Sequence, residues 1–120
     1  MLFRSDLRAE ARACRETHAA AGVLLTARQA VRMITLDGAR ALGLDHETGS
    51  LTIGRRADMV AVAPNPDIER DDLFAMLLDS GSRVMRSWVA GAPLVCGARA
   101  ITIDRDRVFA QAAGARANLC

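Results

Sequence analysis

Residues 35–62 read TLDGARALGLDHETGSLTIGRRADMVAV, and within this one stretch a helical pattern gives way to a strand pattern. Just upstream, Thr26 and Gln29 form a T-x-x-Q capping box that predicts a helix start. Ala27, Ala30, Val31, Ile34, Gly38, Ala41 and Leu42 then recur at i, i+3, i+4, i+7 spacing. The stripe is rich in small side chains, so the helix can sit close to a neighbour. Gly43 predicts its stop in a left-handed conformation. Beyond it, residues 45–50 predict a polar loop, 51–53 a short strand bracketed by Gly49 and Gly54, and 54–58 a turn. Residues 59–63, Met-Val-Ala-Val-Ala, predict a strand apolar enough to be buried on both faces. Asp58 follows the turn, where a carboxylate accepts from nearby backbone N–H groups, and is read as structural.

Outward from that stretch, Ser5 is the expected cap of a first helix running to about residue 20. Leu7, Ala11, Cys14 and His18 fall on one face, with Arg8, Arg12, Arg15 and Glu16 largely off it and Gly22 at the end. Downstream, Pro64-Asn65-Pro66-Asp67 breaks the strand. Residues 71–79 predict a short helix carrying Leu73, Phe74, Met76 and Leu77. Residues 83–90 and 93–96, joined at Gly91, predict a hairpin. Residues 100–103 predict one more strand, and Asp104 caps a final helix with Val108, Ala112, Ala115 and Leu119 on one face. The character of the chain thus divides it into a helical segment 1–44, a strand-rich segment 45–103 and a C-terminal helix 104–120.

The stretch 35–62 resembles a run near the C-terminal end of metal-dependent amidohydrolases, the urease-like TIM-barrel hydrolases. The pattern there is T-x-x-G-A-x-x-L-G-L, a short loop, then G-S-L-x-x-G-K-x-A-D-L-V. Residues 83–103 are similar to that family's V-x-x-V-x-V-x-G-x-x-V closing hairpin, and residues 6–15 to the helix after its last barrel strand. In look the chain is nearest to the cytosine deaminase and chlorohydrolase branch. The resemblance implies an α+β segment: two terminal barrel helices, then part of the small composite β-sandwich domain and a C-terminal helix. A complete barrel takes about 250 residues, so 120 residues do not form one. The family's metal ligands, an H-x-H pair, a lysine or histidine, a further histidine and a late aspartate, map onto no residue of this chain. No catalytic, cofactor-binding or metal residue is therefore carried over; the late aspartate is expected upstream of Met1. The family lysine in the turn is Arg55 here, an exchange expected to be harmless in a solvated side chain. What the resemblance implies for the complete enzyme is hydrolysis of a C–N bond by metal-activated water, with zinc or iron held outside this chain.

Composition and the residues taken singly bound this reading without adding a site. Apolar content of 51% and charged content of 25% are ordinary for a globular chain. A net charge of +2 is too small to argue for nucleic acid or a membrane. All sixteen cations are arginine, so no lysine can be carbamylated or form a Schiff base. Cys14, Cys96 and Cys120 form no C-x-x-C pair and read as reduced thiols of a cytoplasmic protein. His18 on the apolar stripe is read as a packed or helix-end histidine. His46-Glu47 continues Thr-Gly-Ser, so H-E-x-x-H fails. Gly49-Ser50 and Gly81-Ser82 lack a nucleophile-elbow context. Asp67, Glu69, Asp71 and Asp72 read as a solvated loop entering a helix. Arg55-Arg56 reads as solvated, and Trp88 as an anchor of the sandwich core. Two partners are expected: the barrel portion of the same enzyme, or a second copy meeting through exposed helix faces. The alternative from another class is a non-catalytic partner-binding module.

Two helical stripes without a packing mate predict a chain that is marginally stable or self-associating when produced alone. Thermal unfolding checks this: a broad or concentration-dependent transition is expected, and a sharp cooperative one from a monomer at micromolar concentration would contradict it.

Overall fold

The computed structural model describes residues 6–67 and 72–117. It is an α+β arrangement in which a layer of helices is joined to a four-stranded antiparallel sheet. Helix α1 spans Leu7–Ala20 and is capped by Asp6, whose carboxylate accepts from the Arg8 backbone N–H at 3.0 Å. Ser5, the expected cap, lies outside the described residues.

Helix α2, Ala27–Arg32, starts with the expected capping box. Thr26 Oγ1 accepts from Gln29 N at 3.2 Å, and Gln29 Oε1 accepts from Thr26 N at 2.9 Å. A π-helical turn, Met33–Asp37, and a short α3, Gly38–Ala41, continue it. The π turn corrects the expected stripe. It inserts one extra residue into the helical count, so the buried position beyond it is Ala39, while Ala41 and Leu42 face solvent. Gly43, at φ +70°, closes the helix as expected: its own N–H reaches Arg40 O and the Leu44 N–H reaches Ala39 O.

The loop after α3 folds back on the helix. An added Cβ at Gly49 would lie 2.7 Å from Ala39 Cβ and 3.0 Å from Leu36 Cα, so only glycine allows this approach. The expected strand at 51–53 is absent. Among the described residues no strand pairs with it, Leu51 and Ile53 are fully open to solvent, and Arg55 N closes a turn onto Thr52 O at 3.1 Å. A strand needs a neighbour for its backbone groups, and this segment has none here.

The sheet order is β1 (Met59–Ala63), β2 (Arg83–Val89), β3 (Ala92–Cys96), β4 (Arg99–Ala100). Ala90 and Gly91, both at positive φ, make the two-residue β2–β3 turn that matches strand twist. Burial of β1 on both faces is not realised: Met59, Val60 and Ala61 are exposed, and among the described residues β1 pairs with β2 alone. The strand expected over 100–103 shrinks to the two residues of β4. Helix α5, Arg105–Ala117, begins with Asp104 accepting from Arg107 N at 3.1 Å. Val108 and Ala112 are exposed, so the apolar face expected there covers nothing at those positions. The side chain of Ala115, and Leu119, lie outside what the structure describes.

Helix α4, Leu73–Leu78, joins the two layers. It follows β1 and precedes β2 in the chain, yet packs on α1 and α2. Leu78, 1% exposed, sits with Ala11, Ala27 and Ala30 in the buried core, with Leu25, Val31, Ile34, Phe74 and Ala75 against it. Two arginines of α1, Arg12 and Arg8, fasten the same junction, and Arg15 ties α1 to the connection before α2. Arg12 Nη1 donates to Leu78 O at 2.6 Å, Arg8 Nη1 to Ser82 O at 3.2 Å, and Arg15 Nε to Leu25 O at 3.0 Å.

The core is small for the chain. The accessible surface is 9433 Å², where a folded monomer of this mass exposes about 6,300 Å². The radius of gyration is 17.1 Å, against about 14 Å for a compact domain of this length.

Gly49→Ala is expected to destabilise the chain by about 2–3 kcal/mol, combining a left-handed φ with backbone contact. Gly22→Ala, equally left-handed but facing open space, is expected to cost about 1 kcal/mol. Urea unfolding of both variants measures the difference.

Candidate functional site

The densest polar constellation gathers on Asp58, which the turn at residues 54–57 delivers to the mouth of β1. Its Oδ1 accepts from the Ala90 backbone N–H at 2.7 Å, 32 residues away. Its Oδ2 accepts from Thr48 Oγ1 at 3.1 Å and Arg56 Nε at 2.8 Å. Gly91 N donates to Ala57 O at 3.0 Å beside it. The expected local backbone bonds are thus replaced by a long-range one that clamps the β2–β3 turn. The Arg56 hydrogen bonds hold the Asp58 carboxyl down at about 2, helped by the Ala90 N–H, and Asp58 in turn raises Arg56. A carboxylate so engaged stays ionised at neutral pH and offers no proton to a reaction.

Arg55 is not solvated as expected. It is half-buried, and its Nη1 donates to Asp45 O and, at 3.1 Å, to Thr48 O, closing the 45–55 loop. Arg56 pairs with Glu47 as well as Asp58.

A second knot went unread in the sequence. Asp79 Oδ1 accepts from Gly81 N at 2.8 Å and Asn65 Nδ2 at 3.1 Å, and the Gly81 bond chiefly lowers its pKa. Ser82, 3% exposed, donates through Oγ to Met76 O at 2.6 Å and accepts from Asn65 N at 3.2 Å. Its hydroxyl is consumed in tying the end of α4 to the end of β1. The signal was the Asp-Ser-Gly-Ser run after a helix, an aspartate turn by composition.

Of the other singled-out residues the structure brings together only Cys14 and His18, one helical turn apart on α1 with Sγ 3.6 Å from Nδ1. His18 is exposed in the last turn of α1, with Nδ1 2.8 Å from Cys14 O, so it is a helix-end histidine and not a packed one. His46 meets only its neighbour Glu47, at 3.4 Å. Asp72 caps α4, accepting from Phe74 N and Ala75 N, and Asp67 is exposed. Glu69 and Asp71 lie outside the described residues, as does Cys120. Trp88 is half-buried on β2, and among the described residues there is no second sheet for it to anchor. A cleft of about 330 Å³ between α1 and α2 is lined by Glu10, Ala11, Cys14, Ala30, Met33 and Ile34. Among the described residues no group of three or more His, Cys, Asp or Glu could hold a metal ion. The residues present do not fit the metal centre that the resemblance implies, and no reaction step is derived through them. Among the described residues no helix is long and apolar enough to cross a membrane.

The profile of the amidohydrolase family matches residues 4–92. A 5-methylthioadenosine/S-adenosylhomocysteine deaminase of Teredinibacter turnerae is 34% identical over 100 residues, covering 79% of this chain and 22% of that protein. The crystal structure of an adenosine deaminase from Xanthomonas campestris with bound zinc superposes with a TM-score of 0.84 at 28% identity, over 94% of this chain and 27% of that one. A triazine hydrolase variant superposes with a TM-score of 0.68 at 27% identity, over 91% and 25%. The chain spans about a fifth of the length of the curated relative it matches.

Because the Asp58 carboxyl titrates near 2 when folded and near 3.9 when unfolded, its contribution is complete above about pH 4 and is lost as pH falls through about 2. The Ala90 amide proton is expected to shift with a midpoint near 2 in NMR spectra, and Asp58→Asn to abolish that shift and flatten the acid limb of stability.

Proposed function

The chain belongs to the amidohydrolase family, and on that premise we propose that it is the C-terminal portion of a metal-dependent hydrolase of the deaminase type, acting on C–N bonds. The observation that carries this is the superposition of nearly the whole chain on about a quarter of a zinc-bound adenosine deaminase. Deaminase relatives align over 79% and 73% of the chain. In this reading residues 1–44 close the barrel, 45–103 contribute part of a composite sandwich, and 104–120 form the terminal helix. The polar knots at Asp58 and Ser82 are structural, and the reacting groups, with their zinc or iron, lie in the rest of the enzyme. Relatives named for adenosine derivatives favour an amino-bearing purine over cytosine, the base suggested by the nearest-looking branch.

The partner of these residues is then the barrel. Its packing would cover the open sides of Leu24 and Leu42 in the helical layer and of Leu51 and Ile53 in the loop, all exposed here. A second reading, a non-catalytic module that assembles with another polypeptide, is favoured by the same surplus of apolar surface.

Complementation tests the proposal. The purified 120-residue chain with zinc is expected to show no deaminase activity. Added to the Teredinibacter turnerae deaminase lacking its matching C-terminal segment, it is expected to restore zinc-dependent deamination. Activity of the chain alone would overturn the placement of the reacting groups, and binding without restored activity would favour the assembly module.

A further inference from the structure

We draw no further inference here: the strongest candidate, the mostly apolar cleft between α1 and α2 with the Cys14 thiol in its lining and His18 3.6 Å from that sulfur, lies on a chain that spans about a fifth of its relative's length, and nothing in the structure shows what covers it.

Discussion

Leu78 is the side chain on which both layers close. It ends a six-residue helix, too short to persist alone, and it is the largest fully buried side chain among the described residues. Around it stand alanines, Ala11, Ala27 and Ala30, whose small size lets α1, α2 and α4 approach closely. Its carbonyl, left unpaired by the end of the helix, receives the Arg12 guanidinium. Four residues on, Ser82 ties the same helix end to Asn65 at the exit of β1.

Much of this was legible in the sequence where a local chemical device fixes it. The Thr26–Gln29 box, the stop at Gly43, the helix begun by Asp72 and the Gly91 hairpin each follow from residues within a few positions of one another. The readings that failed depended on partners far away. Residues 51–53 have strand composition but no strand beside them, and β1 has the pattern of a buried strand at an open edge. The π turn at Met33–Asp37 shifted the buried stripe by one position, and no periodicity count foresees an inserted residue in a continuous helix. Asp58 was expected to bond nearby backbone N–H groups, but its backbone partner lies across the fold at Ala90.

The same facts explain why the chain carries family features without a reaction centre among its described residues. Asp6, Asp72 and Asp104 cap helices and Asp58 and Asp79 clamp turns, the two histidines sit on separate surfaces, and the buried Ser82 hydroxyl is hydrogen-bonded on both sides. What the chain offers instead is surface. Leu24, Leu42, Leu51, Ile53 and Val60 all stand open, a number of large exposed apolar side chains that marks an unfinished contact more than a solvated exterior. The match to about a fifth of a deaminase's length supplies a reason for that surface.

This chain is folded and yet carries large apolar side chains on its outside. Titration with 1-anilinonaphthalene-8-sulfonate, alongside a proton NMR spectrum of the same sample, tests it most directly. Dispersed resonances of a packed core are expected together with saturable dye fluorescence, reduced when Leu24 and Leu42 are changed to glutamate. A dispersed spectrum with no dye enhancement would contradict it, because the surface would then be complete as it stands.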